Sequence, residues 1–458
     1  MRMIEIFKAA CFLLLRMSFG RSPTWFNSRI LVASQQDIKV KATRAKVQNT
    51  YLNLISPVLA SNDGDSVRSE RNGTEKNASH FNSLGGIRFM EGFAQKLSGL
   101  SRIISSMSGK RAKKRVLILM SDTGGGHRAS AQAIDRALAD LYPGKTEVNI
   151  IDIWSDHGKW PFNTFVGTYR FLAKYPILWR GFYAYGYFPP SKFFTERLST
   201  FVCYNNFKKA IESADPDLVV SVHPLCQHIP IPIVQEMNKI RVPSKPPIKF
   251  VTIVTDLGGA HPTWFHVGCD RTFVASEAVM QAALKRGLPK DKVVLCGLPI
   301  RPSFWKPSKP KDKLRGDLGL KKSVKTVLMM GGGDGVGGLT NIAVEVGRTL
   351  GRFPYPSQMV VVCGHNKIAA QTLSSFTWPK NVNVVVKGFC NNIDEFMSAS
   401  DCLVTKAGPG TIAEAMIRGL PLVLSSFLPG QVHVFLWRLS HVTSSRLLLG
   451  VKLVIVLP

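Results

Sequence analysis

The residues best suited to chemistry lie where an apolar run ends in glycine. Val116-Leu-Ile-Leu-Met120 leads into Ser121-Asp-Thr-Gly-Gly-Gly-His127-Arg-Ala-Ser130, and Ala131, Ile134, Ala137, Leu138 and Leu141 follow at helical spacing. This pattern predicts strand, tight loop and helix, as at the opening of a Rossmann-like domain. The free N–H groups of such a loop and its helix N-terminus can hold an anion, and consecutive glycines let another molecule approach the backbone closely. Ordinary phosphate cradles have no histidine here. Neither the Lys-Ser/Thr pair of a P-loop nor G-x-G-x-x-G spacing is present, so His127 is the residue that needs explaining.

Two further glycine loops follow strand-like runs. Val327–Met330 leads into Gly331-Gly-Gly-Asp-Gly335-Val-Gly-Gly338, and Cys402–Thr405 into Lys406-Ala-Gly-Pro-Gly-Thr-Ile-Ala-Glu414. The second puts Gly408, Gly410 and Thr411 at a helix start, with Glu414 about one turn further in. A helix N-terminus suits a diphosphate, and a nearby carboxylate can accept two vicinal ribose hydroxyls. Either loop alone reads as a tight turn. Together, facing the loop of His127, they point to a nucleotide or nucleotide-sugar in an interdomain cleft.

The elements that must position these loops are strands alternating with helices, an α/β class. Expected strands are Val116–Met120, Val148–Ile153, Asp217–His223, Phe250–Asp256, Arg271–Ala275 and Val293–Cys296, then Thr326–Met330, Gln358–Cys363, Val382–Lys387, Cys402–Thr405 and Leu422–Leu424. Most are continuous apolar runs, which suit parallel strands buried on both faces. Pro302–Lys313 reads as a linker, giving two α/β domains in tandem. The segment Trp154–Pro190 holds five of the nine tyrosines together with Arg170, Lys174 and Arg180. It reads either as a helical core layer or as a face lying in a membrane interface, where aromatic rings and cations are both favoured. No apolar run approaches the ~20 residues needed to span a bilayer.

Composition narrows the classes. The 458 residues suffice for two or three domains, and 45% hydrophobic content suits globular cores. Of the net charge of +29, residues 1–115 supply 20 Lys/Arg against 7 Asp/Glu, so much of the basicity belongs to a leader. No nucleic-acid-binding signature accompanies it; an anionic membrane or anionic substrate fits better. Residues 1–55 are expected to be an organellar transit peptide, basic, hydroxylated and acid-poor, with a secretory signal as the competing reading. Residues 56–115 read as a polar linker. The eight cysteines lack disulfide or metal-ligand spacing, so the sequons at Asn72 and Asn77 are treated as chance matches and no metal site is expected.

The motifs SDTGGGHRAS, DLVVSVHPL, VTDLGGAHPTWFH, GLPIRPSF, the Gly331 loop, VKGF and KAGPGTIAEAMIRGLPLVL, in this order from Val116 to Gln431, resemble the plant monogalactosyldiacylglycerol synthases of glycosyltransferase family 28. The resemblance implies a GT-B fold, with an N-terminal acceptor domain over 116–305, a UDP-sugar domain over 320–431 that is incomplete, and a cleft between them. It implies transfer of galactose from UDP-galactose to 1,2-diacylglycerol with inversion, without a cofactor. A peripheral, monotopic location on the chloroplast envelope and activation by anionic lipids are implied too, with a homodimer left open. By motif, Gly410, Thr411, Ile412, Ala413 and Glu414 would bind the UDP phosphates and ribose, Arg301 the diphosphate, Gly332 the nucleotide-sugar and Phe389 the uracil. His127 would be the catalytic residue on the acceptor side, a neutral imidazole able to take the attacking hydroxyl's proton. Asp256 is the runner-up base, and Pro161 and Trp264 resemble lipid-side positions. His223, His228, His261 and His266 are expected to be structural.

After Gln431 the family pattern stops. Residues 431–458 contain no Asp or Glu, Val432 stands where the family has an acidic donor-sugar residue, and the tail 432–458 reads as out-of-frame or intron-derived. An uncovered sheet edge is then expected. Two alternatives follow: a truncated, inactive lipid-binding isoform, or a transferase for another UDP-sugar or lipid acceptor.

Overall fold

The computed structural model describes residues 113–123, 125–172, 175–331, 338–406, 408–426 and the backbone of 453–455. The leader, most of the linker, Gly332 and the tail apart from that last strand lie outside the described residues. All described residues belong to one compact unit, Pro57–Pro458.

The first half comprises β1 (Lys114–Met120), α1 (Gly126–Leu141), β2 (Thr146–Asp152), α2 (Ile153–His157), α3 (Phe165–Leu172), α4 (Pro176–Tyr187), α5 (Pro189–Ala214), β3 (Leu218–Ser221), α6 (Pro230–Ile240), β4 (Lys249–Ile253), β5 (Arg271–Val274), α7 (Glu277–Lys285) and β6 (Val293–Leu295). Its strands form one parallel sheet in the order β2-β1-β3-β4-β5-β6. The second half comprises α8 (Lys311–Asp317), β7 (Thr326–Met330), α9 (Leu339–Leu350), β8 (Ser357–Val362), α10 (Lys367–Ser374), β9 (Val382–Lys387), α11 (Ile393–Ala399), β10 (Cys402–Lys406), α12 (Pro409–Ile417), β11 (Leu422–Ser426) and β12 (Leu453–Ile455). These strands form a second parallel sheet, β12-β11-β10-β7-β8-β9. Two parallel α/β layers in tandem are the GT-B architecture.

Every expected strand is present. The observed ladders are mostly shorter at the carboxyl end: β3 stops at Ser221 and β4 at Ile253, leaving Val222–His223 and Val254–Asp256 as the loops that carry polar side chains. The apolar runs are continuous because helices cover both faces. One face of β1, through Val116, Ile118 and Met120, packs on Ala131, Ile134 and Leu138 of α1. The other face, through Leu117 and Leu119, packs on Trp154 and on Cys203, Phe207 and Ile211 of α5.

Two expectations change. The segment expected to be a linker, Pro302–Lys313, carries one residue of the second core: Phe304 is buried with Leu298, Ile300 and Leu314, which flank the segment, and with Leu328, Val360, Leu403 and Ile412. The edge expected to be bare carries β12, which pairs in parallel with β11 from Leu422↔Leu453 to Leu424↔Ile455. In the aromatic segment Trp154, Phe162 and Trp179 are buried as a core layer requires, whereas Trp160 is 65% exposed; beyond the segment, on α5, Phe193, Phe194 and Phe201 are 59%, 63% and 88% exposed.

Asp401, just before β10, ties the second sheet to its first helix. Its carboxylate accepts from Arg315 Nη2 at 2.6 Å, Lys311 Nζ at 3.0 Å and the Thr326 amide at 2.8 Å. Burial pushes this carboxyl up, but Lys311, the Thr326 N–H and Arg315 outweigh burial and hold it below 3.8. Arg315 is only 5% exposed, so removing its partner leaves a buried cation unpaired. Asp401→Asn should therefore lower the unfolding free energy by roughly 3 kcal/mol. Because the native carboxyl sits below its unfolded value, the pair stabilises above 3.8 and its contribution is lost as pH falls through the native value. Denaturant titrations of both chains at neutral and acidic pH check this; equal midpoints at neutral pH would contradict it.

Candidate functional site

The loop after β1 is held by its neighbour strand. Asp152, the last residue of β2, accepts the Asp122 amide at 2.9 Å while capping α2 through Ser155. Gly125 then takes a left-handed φ of 76°, and α1 begins at Gly126. A Cβ added at Gly126 would meet nothing within 4 Å, so this backbone faces open space.

His127, in the first turn of α1, points its Nδ1 at the Val222 carbonyl, 2.8 Å away, with Thr255 Oγ1 at 3.2 Å. A carbonyl only accepts, so Nδ1 carries the proton and Nε2 keeps its lone pair. Burial pulls this imidazole from 6.5 to about 4, the Val222 hydrogen bond and Asp122 acting in the opposite direction. It is a neutral ring with a bare Nε2 at physiological pH.

His223, after β3, meets His127 edge to face, with ring centroids 4.5 Å apart. Its Nδ1 accepts the Leu225 amide at 3.2 Å, so its Nε2–H donates to Thr123 Oγ1 at 3.0 Å. Burial, and then the adjacent His127, lower it well below 6.5. Trp264 is fully buried with its ring 6.1 Å from His127, and its indole N–H donates to Asp256 Oδ2 at 2.7 Å. Burial raises Asp256 to about 6 against Trp264 and the His261 amide. Asp256, the runner-up base, is thus already engaged by an indole.

The three remaining histidines expected to be structural have protein partners. His228 Nε2 shares a hydrogen bond with Ser199, His261 Nδ1 one with Thr263, and His266 Nδ1 accepts the Gly268 amide. Pro161 precedes the 3-10 turn Phe162–Thr164 and accepts from Thr164 Oγ1 at 2.6 Å, while Phe162 packs on Trp154. Its surroundings are those of the Trp154 core, whereas Trp264 belongs to the His127 cluster.

In the second sheet, Gly410–Glu414 lie in α12 as its second to sixth residues, the helix starting at Pro409 after the strand that ends at Lys406. Thr405 Oγ1 donates to the Met330 carbonyl at 2.9 Å, fixing this strand end beside the Gly331 loop. A Cβ on Gly410 would meet nothing within 4 Å, so among the described residues nothing crowds this position of the first turn. The Ile412 side chain is in the core, so only its backbone can reach a ligand.

Glu414 accepts from Arg301 Nη2 at 3.2 Å. Burial raises Glu414 to about 7, Arg301 opposing and Asp394 adding to the rise. The Arg301 guanidinium lies over the Phe304 ring at 4.9 Å, and its buried Nε has no partner among the described residues. Arg418, at the end of α12, donates to the carbonyls of Ser303 and Lys306 and so clamps the connector onto the same helix. Helices α1 and α12 approach each other, and α1 also meets the 3-10 turn Pro302–Phe304. His127, Arg301 and Glu414 therefore sit on directly contacting elements.

Phe389, after β9, is 57% exposed, and His365, after β8, stacks on it with centroids 4.5 Å apart and planes 12° from parallel. His365 was not among the residues expected at the site. The signal for it was positional, a Gly-His pair directly after a strand.

The family model for monogalactosyldiacylglycerol (MGDG) synthase matches residues 127–300, and that for the glycosyltransferase family 28 C-terminal domain matches 326–428. The chain is 44% identical to a probable chloroplastic MGDG synthase of Glycine max over 71% of this chain and 61% of that protein. It is 40% identical to MGDG synthase 2 of Arabidopsis thaliana over 70% of this chain and 68% of that one. It spans about three fifths of the length of the first curated relatives it matches. Among solved structures, MurG of Acinetobacter baumannii aligns with a TM-score of 0.44 at 14% identity, over 75% of this chain and 85% of that one. With both family models matched in order and such relatives on either side, the chain belongs to the monogalactosyldiacylglycerol synthase family of glycosyltransferases.

Proposed function

We propose that the chain transfers galactose from UDP-galactose to the free hydroxyl of 1,2-diacylglycerol, inverting the anomeric carbon. The observation that carries this reading is the neutral His127 with a bare Nε2 on the helix that contacts α12. The acceptor hydroxyl gives its proton to Nε2 as its oxygen bonds to the anomeric carbon, and the bond from that carbon to the UDP oxygen breaks with its electron pair. Attack from the face opposite UDP inverts the configuration in one step. The ring protonated in this step is already hydrogen-bonded at Nδ1, so the imidazolium forms without reorientation. A bound diphosphate raises the proton affinity of a histidine beside it, moving His127 up from about 4 toward the working range.

UDP leaves with growing negative charge, which the N–H groups of Gly410 and Thr411 at the start of α12 and the Arg301 guanidinium are suited to meet. Glu414 accepts the ribose hydroxyls once Arg301 turns to the diphosphate, Gly332 contributes to nucleotide-sugar binding, and Phe389 takes the uracil. Trp264 walls the acceptor side beside His127, and Pro161 belongs to the lipid-facing aromatic segment. The names of the relatives carry "chloroplastic", and we place the chain on the plastid envelope, held peripherally. In support, Phe193, Phe194 and Phe201 of α5 are exposed beside Arg197, which lies over Phe193, a composition suited to an anionic lipid surface. No described helix is long and apolar enough to cross a membrane.

Incubation with UDP-galactose and diacylglycerol vesicles, with UDP-glucose in parallel, should yield galactolipid from the first donor; its absence would count against the reading. His127→Ala should reduce transfer by about 10²–10⁴-fold while UDP binding persists, and near-normal turnover in a radiolabelled-donor assay would remove His127 from the mechanism. Glu414 predicts a pH effect. Below about 7 its carboxyl is protonated and cannot accept both ribose hydroxyls, so UDP affinity should rise as pH increases through about 7. Glu414→Gln should flatten that rise, and UDP's own ionisation is common to both chains. Calorimetric titrations showing an equally steep rise in the variant would refute the role.

A further inference from the structure

We propose that His365 is a positioning residue of the donor site: it braces one face of Phe389 so that the open face takes the pyrimidine ring of a nucleoside diphosphate. This rests on the donor reading above and extends it to a residue outside the matched motifs.

The first support is the stack itself. The two rings lie 4.5 Å apart at 12°, yet Phe389 remains 57% exposed. An aromatic ring held flat by a neighbour and open on its other side is a platform for a base. The second support is what His365 does not do. His223, His228, His261 and His266 each spend a ring nitrogen on a protein partner. Among the described residues the His365 ring has only its stack on Phe389. Stacking is then what its ring contributes to the fold.

The third support is placement. The Cys363 amide donates to the Lys387 carbonyl at 2.8 Å, carrying the β8–β9 register to the strand ends. One residue on, Gly364 takes a left-handed φ of 59°, and a Cβ on Gly388 would stand 3.8 Å from the Gly364 carbonyl. The two loops therefore leave the sheet side by side, and His365 and Phe389 emerge paired. In the strand order β10-β7-β8-β9, His365 leaves the sheet two strands, and Phe389 three strands, from the strand that leads to α12. At about 4.8 Å per strand Phe389 stands roughly 14 Å from that strand, a span of the order of a nucleoside diphosphate laid out with its diphosphate at the α12 N-terminus and its base on Phe389.

Calorimetry on the full chain with UDP and, separately, inorganic pyrophosphate tests this. His365→Ala should weaken UDP about tenfold and leave pyrophosphate unchanged, because only the base end loses support. His365→Phe, which keeps a flat ring, should retain UDP affinity within about twofold. Unchanged UDP affinity in His365→Ala, equal loss of UDP and pyrophosphate, or failure of His365→Phe to restore UDP binding would each overturn the bracing role. An unaltered chain that binds pyrophosphate but shows no preference for UDP would instead overturn the donor reading on which the inference stands.

Discussion

A parallel ladder sends the carboxyl end of every strand to the same edge, and the chemistry of this molecule depends on that constraint. The loops leaving β1, β3 and β4 bring His127, Val222–His223 and Thr255–Asp256 within hydrogen-bonding or ring-contact distance, although more than a hundred residues separate His127 from Thr255. The loops leaving β8 and β9 likewise pair His365 with Phe389, at the same sheet edge from which β10 leads into α12. A reversed strand in either sheet would carry its loop to the opposite edge. The apolar core fixes this geometry, since helices on both faces are what the buried parallel strands require.

Burial then sets the charge states. His127 and His223 are kept neutral by it, Asp256 is raised to about 6 and Glu414 to about 7. Such shifts gather where a ligand is meant to supply the missing charge or hydrogen bonds. The Arg301–Glu414 pair shows this: the arginine moderates the carboxylate, and its own Nε has no partner among the described residues. A diphosphate with vicinal ribose hydroxyls complements both groups, an anion for the guanidinium and donors for the carboxylate.

Much of the fold was legible because strands buried on both faces write themselves as continuous apolar runs, and the glycine loops mark where they end. Val382–Lys387 is found with the expected bounds, and His127, Gly410 and Glu414 lie at the helix starts anticipated for them. What stayed hidden depends on distant pairing. Nothing local indicates that Trp264 donates to Asp256, that His365 lies flat on Phe389, or that Phe304 is core rather than linker. The prolines and lysines around Phe304 masked an apolar ring whose burial depends on the second sheet. The β12 pairing was hidden likewise, since parallel partners are chosen by tertiary context.

The acid–base role proposed for His127 rests on one assignment, that Nδ1 is the protonated nitrogen and Nε2 is bare in a neutral ring. Nitrogen-15 NMR of the selectively labelled imidazole, followed through a pH titration, reads that assignment directly. The Val222 hydrogen bond and the burial of the ring predict a pyrrole-type Nδ1, a pyridine-type Nε2 and no protonation until the pH falls well below 6.5, toward about 4. A pyridine-type Nδ1, or a ring that takes up its second proton near 6.5 as an exposed histidine does, would contradict it.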